Sequence, residues 1–120
     1  MWALTPLTDE QREIQRVARD FALHELAPFT AAWDRDAHFE PSLVSKAGDL
    51  GFLGMMIPER YDGLGLDTLT YLVALEEIAI VDASVAVMIS VHNSLPTQMI
   101  LRWGTEEQKD RFLRPMARGE

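Results

Sequence analysis

The chain has 120 residues, of which 48% are hydrophobic and 25% are charged, the proportions of one soluble globular domain. It contains no cysteine, which excludes disulfides, thiolate nucleophiles, iron–sulfur clusters and cysteine-ligated zinc, and which is compatible with a reducing compartment. The formal net charge of -8 argues against a nucleic-acid partner and an anionic membrane surface, because both bind basic proteins.

Neither a targeting segment nor a membrane span is predicted. Residues 1–6 lack the cationic region and the long apolar run of a signal peptide. The most apolar stretch, 78–91, contains Asp82 and is shorter than the ~20 apolar residues that cross a bilayer. We therefore expect a cytoplasmic protein.

The first predicted helix begins at Thr8, because the sequence TDEQ from Thr8 has the spacing of a capping box. Apolar residues then recur every three or four positions from Ile14 to Trp33, with charged residues between them. Pro28 lacks a backbone N–H, and its ring clashes with the carbonyl of His24. We therefore expect a kink or a break near residue 27.

Four further helices are predicted, with bounds of about 40–51, 67–81, 82–104 and 105–119. Asp67 and Asp82 can cap the middle two, and the sequence TEEQ from Thr105 is a second capping box. The helices 40–51, 82–104 and 105–119 each end at a glycine. A glycine-rich stretch at 61–66 is typical of turns. No alternating β pattern is present, so the prediction is a single all-α domain over 1–120, a bundle of about five helices.

The third and fourth predicted helices are apolar on nearly every face, and in the third only Glu76 and Glu77 are charged. A domain of this size rarely buries two such helices completely. Part of their surface should therefore contact another domain, another subunit or an apolar ligand.

The polar residues that could carry chemistry have ordinary explanations in this sequence. Asp34, Asp36 and His38 lie on a predicted loop without a partner motif, so we expect solvated groups rather than metal ligands. Glu76 and Glu77 point about 100° apart on a helix, so they cannot share a proton. We predict no catalytic, cofactor-binding or metal-binding residue in the chain.

Three polar residues, His92, Asn93 and Ser94, interrupt the apolar fourth helix. They fit either a helix tail that emerges into solvent or a polar notch beside an apolar groove. In the second interpretation Val87, Val91 and Leu95 line one wall of the groove, since residues four apart share a helix face. Ordinary core packing is the alternative for such a row.

The order of these features resembles the N-terminal helical domain of an acyl-CoA dehydrogenase. The resemblance covers residues 7–120 and rests on four segments taken together: LTDEQREIQRVARDFALHELAPFTAAWDRD, LGFLGMMIPERYDGLGLD, TYLVALEEIAIVDASVAVMISVHNSL and ILRWGTEEQKDRFLRPMARGE. The SVHNSL segment is closer to the short- and branched-chain members.

The resemblance implies an oxidoreductase with a middle β-barrel domain and a C-terminal helical bundle. Such enzymes remove a proton from the α carbon and a hydride from the β carbon of an acyl-CoA thioester, and the hydride passes to FAD. The general base and most flavin contacts lie in the other domains. The implied partners are acyl-CoA, those domains, further subunits of a homo-oligomer and an electron-transfer flavoprotein.

In this family the N-terminal domain packs on the C-terminal bundle and walls the acyl-chain pocket. The matching helix is 83–101, and the resemblance directs Val87, Val91, His92 and Leu95 toward the acyl tail. The rival interpretation is a free-standing helical module that binds a protein partner or a lipid through its apolar face.

Overall fold

The computed structural model describes residues 6–120, and over that range its regular structure is entirely helical. Seven α-helices follow one another: α1 (Asp9–Phe21), α2 (Thr30–Asp36), α3 (Ser42–Asp49), α4 (Thr68–Val81), α5 (Ala83–Ser94), α6 (Pro96–Trp103) and α7 (Glu106–Arg118). A π-helical turn, Ala22–Leu26, extends α1, and a 3-10 turn, Glu59–Tyr61, precedes α4. The all-α class is confirmed, and the helix count rises from five to seven. The prediction that the chain has no signal peptide concerns residues 1–6, of which residues 1–5 lie outside the described range.

The predicted caps start the helices. The Thr8 hydroxyl accepts from the N–H of Gln11 at 3.1 Å, and the Gln11 side-chain oxygen accepts from the N–H of Thr8 at 3.0 Å. Thr105 and Gln108 form the same reciprocal pair at the start of α7. The carboxylate of Asp67 accepts from a backbone N–H in the first turn of α4. These bonds satisfy amide groups that a helix leaves without partners, which fixes where each helix begins.

Pro28 ends the first helix and accounts for α2. Before it, the chain widens into the π turn, in which the N–H of Ala27 donates to the carbonyl of Ala22 at 2.9 Å. The wider turn accommodates a proline that has no N–H and crowds the preceding turn. The break predicted near residue 27 is confirmed.

Pro96, at which the sequence predicts a bend in the fourth helix, divides that helix into α5 and α6, so the single helix predicted to end at Gly104 is two helices. Pro96 cannot donate to the carbonyl of His92, four residues earlier. Thr97 Oγ1 donates to that carbonyl instead, and also to the carbonyl of Asn93, both at 2.9 Å. Leu95 between the helices has φ -111° and ψ -78°, which takes α6 off the axis of α5.

The helices pack as a chain of neighbours. α1 lies against α4, α4 against α5, α5 against α6 and α6 against α7, and α7 returns to contact α3. The larger core is shared by α1, α3, α4, α5 and the loop at 52–55. A smaller core contains Ile57, Tyr61, Leu113 and Ala117. Within residues 6–120 no helix is both long enough and apolar enough to cross a bilayer.

A buried carboxylate joins α1 to α4. Arg19 Nε and Nη2 donate to the two carboxylate oxygens of Glu77 at 2.9 and 2.8 Å, and Gln15 Nε2 donates to the same group at 3.0 Å. The neighbouring Glu76 is not part of this cluster and lies on a different side of α4. Glu77 is therefore the expected ion-pair partner of the adjacent pair, whereas Glu76, for which the sequence predicts an exposed side chain, is only partly exposed and has one buried carboxylate oxygen.

Asp82 links three elements at the junction of α4 and α5. Its carboxylate accepts from Thr30 Oγ1 at 2.5 Å, from Ser84 Oγ at 2.7 Å and from the N–H of Val85 at 3.0 Å. Burial by itself raises the pKa of the Asp82 carboxyl, but the hydrogen bonds from Thr30, Val85 and Ser84 together outweigh burial, and the pKa is lowered. The residue remains an anion that holds α2 against the α4–α5 corner.

We expect Asp82→Ala to lower the free energy of unfolding by about 1–2 kcal/mol, because the variant loses a helix cap and leaves the Thr30 hydroxyl without its acceptor. Asp82→Asn keeps an acceptor but cannot ionise. A lowered pKa adds stability above the ordinary aspartate pKa of about 4, and that stability is lost as the pH falls through the folded-state value. Urea unfolding should therefore separate wild type from Asp82→Asn at pH 7 more than at pH 3. An equal gap at both pH values would contradict this.

Candidate functional site

The outward face of α5 and α6 carries a row of apolar side chains, which we call the apolar stripe. Its members are 49 to 71% exposed and lie four residues apart: Val87, Val91, Leu95, Met99 and Trp103. A step of four residues turns the position on a helix by only about 40°, so successive members of the row are neighbours on their own helix, Val87 and Val91 on α5 and Met99 and Trp103 on α6, with Leu95 at the bend between the two helices. A folded domain normally buries apolar side chains arranged in this way. The apolar stripe is therefore a surface suited to contact with other apolar matter.

The structure places the four predicted site residues in two groups. Val87, Val91 and Leu95 lie together on the apolar stripe. His92 lies about 100° further round α5, is half-buried, and its Nε2–H donates to the carbonyl oxygen of Met116 in α7 at 3.1 Å. The imidazole thus ties α5 to α7.

The polar triplet is not a solvated tail as a whole, because only Ser94 is exposed. Asn93 is 1% exposed, and its amide bonds to the loop before α4 and to its own helix. Ser94 Oγ donates to the carbonyl of Ser90, one turn earlier, at 2.7 Å. Together with His92, all three polar side chains therefore bond to backbone groups of the fold, which sequence periodicity does not reveal.

Two hollows border α5 and α6. A cleft of about 410 Å³ opens where α6 meets α7 and is lined by Met99, Ile100, Trp103, Gly104, Gln108 and Phe112. A larger hollow of about 1140 Å³ lies at the start of α5, between that helix, α2 and α3. Ser84 and Met88 of α5 form part of its wall, together with Trp33 of α2. The apolar stripe thus contributes Met99 and Trp103 to the smaller cleft, and none of its members lines the larger hollow.

The chemistry available on this face is binding by apolar contact. None of the five side chains of the apolar stripe is titratable, so the surface can exclude water but cannot move a proton. The described range 6–120 also holds no group of three or more His, Asp or Glu side chains arranged for a metal ion.

The residues for which the sequence predicts solvated side chains lie elsewhere, at the end of α2 and just after it. Asp36 pairs with Arg35 at 3.1 Å, and His38 Nε2 lies 3.5 Å from Glu40.

Comparison with known proteins assigns the family. Residues 8–120 match the family model described as acyl-CoA dehydrogenase, N-terminal domain. The chain belongs to the acyl-CoA dehydrogenase family. An acyl-CoA dehydrogenase of Bacillus subtilis (strain 168) is 38% identical over 114 residues, which are 95% of this chain and 30% of that protein. The mitochondrial short-chain specific acyl-CoA dehydrogenase of Mus musculus is 41% identical, over 95% of this chain and 28% of that protein.

Solved acyl-CoA dehydrogenase structures have the same fold. Butyryl-CoA dehydrogenase from Megasphaera elsdenii aligns with a TM-score of 0.87 at 37% identity, over 95% of this chain and 30% of that one. Glutaryl-CoA dehydrogenase from Mycobacterium smegmatis aligns with a TM-score of 0.91 at 31% identity, over 98% and 30% respectively. The chain therefore spans less than a third of the length of these relatives.

In this acyl-CoA dehydrogenase domain the exposed face is longer than predicted. The sequence prediction ended at Leu95, but the spacing of four continues to Met99 and Trp103, and both are exposed. That spacing is a signal that could have found them. Pro96 obscured it, because a proline within the pattern argues against a continuous face.

Proposed function

We propose that this chain is the N-terminal domain, residues 1–120, of an acyl-CoA dehydrogenase that desaturates acyl-CoA thioesters. In this proposal the apolar stripe forms one wall of the acyl-chain pocket and continues into a surface on which the other domains pack. The single observation that carries the proposal is that exposed stripe, in a family whose compared members are named for acyl-CoA substrates.

The wall acts by removing the acyl tail from water. Each methylene that it buries contributes about 0.8 kcal/mol to binding, and Val87, Val91 and Leu95 present only hydrocarbon to it. His92 borders these residues, but its Nε2–H is already used by Met116. We therefore assign to His92 a contact through the ring edge and no hydrogen bond to the substrate. The relatives named for short-chain and butyryl substrates support a short or branched acyl group.

The complete enzyme in this proposal uses FAD, and the residues described here do not fit that cofactor by themselves. A dinucleotide carries a pyrophosphate, which proteins hold with helix N-termini or basic side chains. The apolar stripe offers neither, and the larger hollow is lined by the carboxylates of Asp34, Glu40 and Asp82, which repel an anion. One relative, a glutaryl-CoA dehydrogenase from Mycobacterium smegmatis, was solved with FADH2. We assign flavin binding to the rest of the enzyme.

The partners in this proposal are the remaining domains, further copies in a homo-oligomer and an electron-transfer flavoprotein as electron acceptor. A structure described as the electron transferring flavoprotein of Acidaminococcus fermentans contains a chain that aligns with a TM-score of 0.92 at 39% identity, over 96% of this chain and 30% of that one. This alignment supports the choice of acceptor. We also propose a cytoplasmic location.

The test is to follow the reading frame past Glu120 and to assay the complete product. We expect the frame to continue into alternating β patterning and a second helical set, and the product to bind flavin and to oxidise an acyl-CoA. We expect the 120-residue chain alone to be helical, colourless and inactive, because the proposal assigns the general base and the flavin site to the rest of the enzyme.

Two results would contradict the proposal. One is a complete product that oxidises no acyl-CoA, and the other is a 120-residue chain that is yellow or active by itself. A native stop codon directly after Glu120 would favour the free-standing helical module that binds a protein or a lipid through the same apolar face.

A further inference from the structure

The helix that carries the proposed wall has no amphipathic pattern to orient it. Val87 and Val91 face outward, whereas Val85 and Ile89 are buried in the core. The two pairs have the same chemistry, so apolar burial alone favours one face of α5 over the other only weakly. Something directional has to determine which of these side chains point outward.

Asn93 supplies that directional contact. Its Oδ1 accepts from the N–H of Met55 at 3.0 Å, and its Nδ2 donates to the carbonyl of Phe52 at 2.7 Å and to the carbonyl of Ile89 at 2.9 Å. The first two bonds reach about forty residues back, to the loop between α3 and α4, and the third stays within α5. The amide thus uses both donors and one acceptor lone pair in a buried site.

The geometry makes this contact sensitive to helix rotation. At 100° per residue, Asn93 lies about 200° from Val91, almost opposite the apolar stripe. If α5 turned to bring other apolar residues outward, Asn93 would leave the loop, and the N–H of Met55 and the carbonyl of Phe52 would be buried without partners. Unsatisfied buried groups are strongly disfavoured, so the amide penalises every other rotation of the helix.

We infer that Asn93 is a positioning residue that determines which apolar side chains of α5 form the wall of the acyl-chain pocket. The role of α5 in an acyl-chain pocket rests on the proposed function, but the orientation of the helix can be measured independently of that function. His92 supports the same orientation from another side, because its bond to Met116 also requires α5 to present that residue to α7. Two residues of the polar triplet, His92 and Asn93, then orient an otherwise apolar helix.

The 120 residues contain no cysteine, so a single cysteine introduced into this chain is the one thiol that reacts, which allows a direct test. Single cysteines are introduced at Ile89, which is buried in α5, and at Ala18, which is buried in α1, and their reaction rates with a small disulfide reagent are compared. In an Asn93→Leu background we expect the rate at position 89 to rise about tenfold relative to position 18, the size expected when a buried hydrogen-bonded group is lost. Position 18 reports any general opening of the fold.

Thr97→Val is the matched control. Thr97 is also buried, but its hydroxyl bonds only to carbonyls of α5, so its loss weakens the fold without freeing the helix to rotate. The two thiols should therefore keep their ratio in that background. Where Asn93→Leu does not fold, Asn93→Ser replaces it, since a serine hydroxyl can still reach the carbonyl of Ile89 but not the loop. Equal acceleration of both thiols in the folded Asn93 variant would overturn the inference.

In the complete enzyme, Asn93→Leu should reduce the ratio of kcat/KM between short and long acyl-CoA substrates several-fold. Thr97→Val should leave that ratio unchanged. An unchanged ratio in the Asn93 variant, with Val91→Phe still shifting it, would overturn the inference alone. Failure of Val91→Phe to shift it would count against the proposed wall, and the thiol rates would still decide the orientation of α5.

Discussion

Replacing Val91 by phenylalanine in the complete enzyme is expected to shift substrate preference toward shorter acyl chains by about tenfold or more. The larger ring would occupy space next to the acyl tail, and each methylene displaced from the wall loses about 0.8 kcal/mol of burial. Two displaced methylenes suffice, because 1.36 kcal/mol corresponds to a factor of ten in rate. Leu95→Trp should act in the same direction. The measurement is kcat/KM over a series of straight acyl-CoA substrates, together with the melting temperature.

Ile80→Phe is the matched control for this experiment. Ile80 is 73% exposed on α4 and lies outside the apolar stripe, so a phenylalanine there should leave chain-length preference unchanged. If Val91 were ordinary core, its enlargement would overpack the fold by about 1–3 kcal/mol and reduce activity on all substrates alike. Uniform loss with a lower melting temperature would therefore remove Val91 and Leu95 from the substrate wall.

Gly63→Ala is expected to destabilise the domain by about 3 kcal/mol or more. An added Cβ at this position would lie 2.0 Å from the carbonyl oxygen of Ile57 and 2.5 Å from its carbonyl carbon. Both are backbone atoms, so no side-chain rotation relieves the overlap. The turn also presents Tyr61, whose hydroxyl donates to Glu106 of α7 at 2.7 Å, and a displaced backbone would disturb that contact. Thermal and urea unfolding measure the effect.

Gly65→Ala separates this overlap from backbone strain. Gly65 has φ +61°, but an added Cβ would meet nothing closer than 3.7 Å. Its replacement should lose only the roughly 1–2 kcal/mol by which a left-handed conformation disfavours residues with a Cβ. If Gly63→Ala proved no more harmful than Gly65→Ala, the tight approach to Ile57 would not be a determinant of stability.

The parts of the fold that could be predicted depend on short-range chemistry. The caps at Thr8, Asp67, Asp82 and Thr105 join groups three residues apart, so their partners are visible in the sequence itself. The break at Pro28 follows from the missing N–H of one residue. The fold class, the starts of the four capped helices and the first break were therefore accessible without tertiary information, whereas the separate helices α2 and α6 were not predicted.

The orientation of the central helices was not accessible in the same way. In α4 and α5 apolar residues occupy every face, so no periodicity indicates which of them are buried. The partner of Asn93 lies at Met55, in an irregular loop about forty residues away, and that of His92 lies in α7. The spacing of four predicts that Val87, Val91 and Leu95 lie in one row, and they do. Only the folded chain shows that this row faces outward.

The break at Pro28 also leaves α2 as a separate short element, which contacts the larger core through Trp33. None of the residues 30–36 in α2 is fully buried, and its polar tie to the rest of the fold is the bond from Thr30 to Asp82. Segments with few buried contacts open locally at much lower free energy than the whole domain unfolds. Since α2 forms one side of the 1140 Å³ hollow, its local opening would widen that hollow while the α1–α4 pair stays closed. We therefore expect amide hydrogen exchange to be fastest among the helices in α2, and we expect the hollow beside α5 to vary in width as α2 opens.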